Sequence, residues 1–182
     1  MSVITIQTER LCIRPFRNTD WPAVHGYMSL PAAILYMAKS VMSEAETQEY
    51  IQKQLGDDAT DFALIRLADN QLIGHMVFHP WFAPRTYEIG WIVHPAYQRR
   101  GYASEAALAL LRYGFEEMDL HRIIATCQPE NPASYGVMEK IGMRREGHFR
   151  QCIYRGIHQD QDIWWDEYFY ALLAKEWRAT HG

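Results

Sequence analysis

Three cysteines in 182 residues, Cys12, Cys127 and Cys152, are too few and too widely spaced for a disulfide framework, and no C-x-x-C pair suggests a zinc ribbon or redox couple. No apolar run approaches the roughly 18 residues of a membrane span, and no charged-then-apolar segment opens the chain. The expectation is a reduced, cytoplasmic protein with no membrane partner. Basic charge is short as well. Eighteen Lys and Arg against 22 Asp and Glu leave a net charge of −4, which argues against a nucleic-acid partner. The Gly-x-Gly-x-x-Gly fingerprint and the Gly-Lys-Ser/Thr ending of a P-loop are both missing, so neither standard nucleotide motif applies. With no repeat or low-complexity tract and 48% hydrophobic residues, the chain suits one domain over residues 1–182.

What basic charge there is concentrates locally, at Arg99 and Arg100 and again at Arg144 and Arg145. Gln98-Arg99-Arg100-Gly101-Tyr102-Ala103 lies between an apolar run, residues 87–93, and a helix opening near Ala103. A strand that turns through basic residues and a glycine into a helix offers unpaired backbone N–H groups and the positive end of the helix dipole. That is a cradle for an anion such as phosphate.

Residues Arg10 to Phe16 alternate as a first strand, and Asn18, Thr19 and Asp20 offer an N-cap for a helix from Trp21-Pro22 to about Met28. Ser43-Glu44-Ala45-Glu46 is a capping box for a second helix ending at Gly56. Between them, residues 30–39 form a loop long enough to shape a pocket. Residues 62–67 and 72–78 read as a hairpin about Asp69-Asn70. Ala103, Ala106, Ala107, Leu110, Leu111, Gly114, Phe115 and Met118 recur at steps of three and four, the clearest helix of the chain. A strand over Arg122 to Gln128 completes a βαβ crossover, a further helix opens at residues 129–134 and stops at Gly142, and two strands follow near residues 143–153 and 163–173. The class is α/β, a mixed α+β layer with helices on both faces of a sheet.

The turn resembles the acyl-CoA pyrophosphate loop of the GNAT superfamily of N-acetyltransferases, Gln/Arg-x-x-Gly-x-Gly/Ala, at Gln98, Gly101 and Ala103. Asn131-x-x-Ser134 and Glu139-Lys140-Ile141-Gly142-Met143 resemble a second segment of that family. Residues 8–15 resemble its opening strand, and residues 166–173 its closing strand, especially in the ribosomal-protein N-terminal acetyltransferase branch. The resemblance covers essentially the whole chain. It implies a twisted, mostly antiparallel sheet with a parallel, splayed β4/β5 pair that admits the pantetheine arm of acetyl-CoA. Backbone groups of Ile92 and Val93 would pair with that arm. The pyrophosphate would lie on Gln98, Arg99, Arg100, Gly101, Tyr102, Ala103 and Ser104, and Asn131 and Ser134 would lie near the pantetheine and sulfur. The implied activity is transfer of an acetyl group from acetyl-CoA to a primary amine of a small molecule or protein N-terminus. A non-catalytic acyl-CoA-binding module is the alternative.

Acetyl transfer to an amine needs a base for the ammonium and a proton for the leaving thiolate. Glu88, on the strand entering the cofactor turn, is the candidate base; the competing reading is a salt-bridging or ammonium-binding carboxylate. Many relatives carry a tyrosine as acid where this chain has Met138, which cannot donate. The resemblance to the ribosomal-protein acetylating branch then implies Ser134 as the acid, with helix capping and hydrogen bonding to pantetheine as its competing role and Tyr135 as a further hydroxyl. The acceptor is expected to be cationic, attracted by Glu88, Asp166 and Glu167 and flanked by Tyr36, Trp81 and Trp164; packing in a core or homodimer interface is the alternative use of these aromatics. His75 and His79 share a strand face, but no third ligand is spaced to join them, so no metal site is expected.

Overall fold

The computed structural model describes residues 5–37, 40–56 and 58–181. Its strands are β1 (Ile6–Gln7), β2 (Leu11–Pro15), β3 (Asp61–Arg66), β4 (Gln71–Pro80), β5 (Thr86–Val93), β6 (Arg122–Cys127), β7 (Arg144–His158) and β8 (Gln161–Leu173). The helices are α1 (Trp21–Met28), α2 (Pro31–Ile34), α3 (Glu44–Lys53), α4 (Tyr102–Arg112), α5 (Pro132–Lys140) and α6 (Ala174–His181). All eight strands form one sheet in the order β1-β2-β3-β4-β5-β6-β8-β7. Among the described residues only β5 and β6 run parallel, as a crossover through α4 between neighbouring strands requires. The two-residue β1, absent from the sequence reading, moves the expected parallel β4/β5 pair to β5/β6.

Strand alternation divides the apolar residues between two helical layers. On one face, Ala106, Ala107, Leu110 and Leu111 of α4 and Met138 and Ile141 around α5 pack on Leu64, Met76, Ile89, Ile123 and Tyr170. A fully buried leucine such as Leu110 contributes about 2 kcal/mol by removal from water. At Gly114, in the π-helical turn Tyr113–Glu117 that continues α4, the chain approaches the sheet so closely that a β-carbon would meet the Ile123 side chain at 2.8 Å. The opposite face carries α1 and α3, with Val24, Tyr27, Met28 and Ile51 over Ala63 and Ile65. This second layer covers only the β2–β4 side. Beyond it, Ile124, Phe169 and Ala171 form a separate small cluster against Trp81.

Local cues place most helix ends. Ser43 and Glu46 form the expected reciprocal capping box at α3. Asp20 holds the N-cap position of α1 but its carboxylate makes no cap bond. It accepts instead from the Arg17 amide at 2.7 Å and from both terminal nitrogens of Arg14, a two-pronged charge-assisted pair that outcompetes a single cap bond. The loop expected over residues 30–39 contains α2, and its last two residues, Ala38 and Lys39, lie outside the described residues.

Candidate active site

Pairing between β5 and β6 runs only from Thr86↔Arg122 to Glu88↔Ile124, although β5 continues to Val93 and β6 to Cys127. The two parallel strands therefore fork at Glu88. His94 donates its backbone N–H to Ile73 of β4, so by alternation the backbone groups of Ile92 also face β4, whereas those of Ile89, Trp91 and Val93 face the open side. Of the two residues expected to pair with pantetheine, Val93 faces the gap and Ile92 does not; Trp91 takes its place. The side-chain amide of Gln98 donates to the Val93 carbonyl at 2.9 Å and ties the cofactor turn to the rim of the fork. Backbone groups without a strand partner require one from elsewhere, and an amide-bearing chain laid into the gap supplies it.

Arg99 (φ +60) and Gly101 (φ +82) both adopt left-handed backbone, turning the peptide N–H groups of the loop inward. Gly101 is the N-cap of α4 and brings no side chain to satisfy the first-turn donors. Those of Tyr102, Ala103 and Ser104 are thus presented at the positive end of the helix dipole. Arg10, in the bend just before β2, braces the turn: its guanidinium donates to the Arg100 carbonyl at 3.1 Å and pairs with Glu105. Arg99 and Arg100 themselves are exposed. The arrangement fits a pyrophosphate.

At the upper end of the gap, β6 leads into α5. Asn131 is the cap of this helix, its side-chain oxygen accepting the Ser134 amide at 3.2 Å. Capping as the role of the Ser134 hydroxyl is thereby overturned. That hydroxyl lies against the Cys127 thiol instead; burial pushes the thiol up to about 11, opposed by the Ser134 hydrogen bond. A thiol so raised is a poor nucleophile near neutral pH. Met138 is 1% exposed and belongs to the core.

Glu88 lies on the other face of the sheet. It is cross-strand from His79, whose Nε2 is 3.8 Å from the carboxylate. His79 Nδ1 is 3.0 Å from the Pro80 carbonyl, an atom that can only accept, so Nδ1 carries the proton and Nε2 turns its lone pair or second proton to Glu88. Burial raises the Glu88 carboxyl above the ordinary carboxylate value, opposed by His79 and by a hydrogen bond from Thr126. Glu167 is raised for the same first reason, opposed by Thr126 and reinforced by the charge of Glu88. Register explains the grouping, since Glu88 pairs with Ile124, Thr126 with Phe169, and Glu167 stands two residues from Phe169 on the same face. One hydroxyl proton serves two half-buried carboxylates, which leaves an anion for a cation to satisfy.

Asp166 and Trp164 do not join this group. Alternation on β8 turns them to the opposite face from Glu167. There Asp166 accepts from the Gln151 amide at 2.8 Å and pairs with His148, while Trp164 stacks on Tyr154 at 5.1 Å. Trp81 is on the Glu88 face, 5.4 Å from Phe169. Tyr36 is half-buried after α2, next to Met37, whose carbonyl accepts from Arg155 of β7. Thr126 escaped the sequence reading, although a polar residue within Ile123-Ile124-Ala125-Thr126-Cys127 is a visible anomaly. His75 is bonded to the Tyr27 hydroxyl at 2.6 Å. Among the described residues no three His, Cys, Asp or Glu side chains converge on a metal position, and no helix is long and apolar enough to cross a membrane.

Comparison with known proteins identifies the family. Residues 10–144 match the family profile described as acetyltransferase (GNAT) domain. The chain is 52% identical over 172 residues to the uncharacterised N-acetyltransferase YnaD of Bacillus subtilis (strain 168), covering 94% of this chain and 98% of that one. A crystal structure of a GNAT-family acetyltransferase from Bacillus anthracis superposes with a TM-score of 0.88 at 53% identity, covering 95% of this chain and all of the other. The spermidine N-acetyltransferase of Vibrio cholerae, solved with CoA and spermine, shares the fold at 22% identity and a TM-score of 0.77, over 94% and 99% of the two chains. The family match over most of the chain and the likeness to the two Bacillus proteins lead to one conclusion: this protein belongs to the GNAT family and is an acetyl-CoA-dependent N-acetyltransferase.

Proposed function

We propose that the protein acetylates a cationic primary amine by direct attack within a ternary complex, with acetyl-CoA in the β5–β6 gap and the amine on the face of Glu88. The observation that carries this reading is the position of Glu88 at the last paired residue of the fork, with Ser134 on the opposite face. Acetyl-CoA, when bound, supplies the acetyl thioester. Glu88 accepts one proton from the ammonium, with Glu167 holding the cation and His79 adjacent as a second acceptor. The neutral nitrogen then forms the C–N bond as the C–S bond breaks. Ser134 donates its proton to the departing thiolate, aided by the N-terminal dipole of α5, and is reprotonated by the proton the nitrogen loses. The balance is ammonium plus thioester to amide, thiol and one proton. Thiol release from acetyl-CoA should depend on added amine. Tight CoA binding with no amine-stimulated release would leave only an acyl-CoA-binding module.

The division of labour in α5 is separately testable. Asn131→Ala should lower stability by about 1 kcal/mol through loss of the cap. Ser134→Ala should leave the melting temperature near that of the parent and lower kcat at saturating acetyl-CoA by roughly 10-fold or more. Full kcat in Ser134→Ala would remove the hydroxyl from the proton path.

A further inference from the structure

An open cavity of about 670 Å³ lies on the face that carries Glu88 and Glu167, and its walls are Trp81, Phe82, Thr86, Phe149 and Phe169. Resting on the reading above, we infer that this cavity houses the carbon skeleton of the acceptor, and that the acceptor is an amine carrying an aromatic ring on a short alkyl tether.

Continuity with the carboxylates carries the inference. Thr86 is two residues from Glu88 on the same face of β5, and Phe169 is two residues from Glu167 on the same face of β8. Phe149 is the cross-strand partner of Glu167. The cavity therefore begins where the anionic pair ends, about 7 Å along the strands. An ammonium at the carboxylates and a ring in the cavity are joined by a tether of two or three carbons. The wall chemistry selects the ring. Trp81 packs on Phe82 at 3.9 Å and on Phe169 at 5.4 Å, and Phe149 packs on Phe169 at 5.6 Å, so three sides present aromatic surface. Phe82 is 82% exposed and Phe149 48% exposed, a cost in water that a bound ring would relieve. Arg122 at the rim is occupied by Glu146. The acidic lining residue Glu146 is already bound by Arg122 and Arg144, so a second cation along the acceptor would have to displace an arginine.

The test compares 2-phenylethylamine, ethylamine and spermidine as acceptors in a thiol-release assay, with calorimetry of 2-phenylethylamine on the CoA-loaded protein. We expect kcat/KM for 2-phenylethylamine to exceed that for ethylamine by about 10-fold or more, the worth of burying a ring. Phe149→Ala should narrow that ratio and weaken the calorimetric signal. Equal values for the aromatic and aliphatic amines, or a preference for spermidine, would overturn the inference. So would a concentration-dependent dimer abolished by Phe82→Asp with selectivity unchanged, which would assign the aromatic walls to a second copy of the chain. If 2-phenylethylamine binds in a Phe149-dependent manner but no amine releases thiol, the cavity assignment stands and the catalytic reading falls.

Discussion

A Gly101→Glu variant should lose CoA affinity by at least about 100-fold in calorimetry while remaining folded, because the substitution puts a carboxylate into a cradle built for phosphate oxygens. Two effects must be separated. A non-glycine residue at φ +82 carries a backbone strain of about 1–2 kcal/mol, which lowers stability whatever its charge. Steric room is not the obstacle, since a β-carbon there would have the Arg10 guanidinium as its nearest neighbour at 3.5 Å. Gly101→Asn is the matched control, because asparagine tolerates left-handed backbone and brings no charge. Its CoA affinity should stay within several-fold of the parent. Unchanged affinity in a folded Gly101→Glu protein would remove the pyrophosphate from this turn.

Glu88→Gln should lower kcat by roughly 100-fold or more, the usual contribution of a positioned base, and should leave the CoA dissociation constant nearly untouched. The amide preserves shape and hydrogen bonding but cannot accept the proton. In the proposed arrangement the cofactor contacts would come from other residues: the backbone of Trp91 and Val93 and the turn from Gln98. Burial sets the sign of the pH dependence. Because the carboxyl titrates above the ordinary value of 4.5, kcat/KM of the parent should fall as pH drops through that raised value, where Glu88 becomes protonated and stops accepting. In Glu88→Gln that acidic limb should vanish. A raised KM with full kcat and an intact limb would make Glu88 an ammonium-binding group only.

Sequence legibility followed the range of the interactions. The 62–78 hairpin, the α3 capping box, the apolar stripe of α4 and the glycine at the cofactor turn are all set by neighbours within a few residues, and each was readable. Short elements were not. β1 exists through pairing of Ile6 with Ile13, and α6 buries only Ala174 and Trp177, the latter bonded through its indole N–H to Glu116. Faces were the second difficulty. Asp166 and Glu167 are equivalent as charges in a sequence, and only the pairing of β8 with β6 decides that Glu167 faces Glu88; a shift of one residue would have exchanged them. The fork itself left no mark in the strand pattern, because β5 and β6 keep theirs past the point where they part; only the family resemblance implied it. At α5, Asn131 and Ser134 are both good caps, and the backbone geometry chose Asn131.

Direct transfer across the fork needs no acetylated protein, so initial velocities of thiol release with acetyl-CoA and amine varied against one another should give intersecting reciprocal plots, and no acetyl adduct should form on the protein after incubation with acetyl-CoA alone. Parallel plots, with an acetyl group recovered on Cys127 or Ser134, would contradict it.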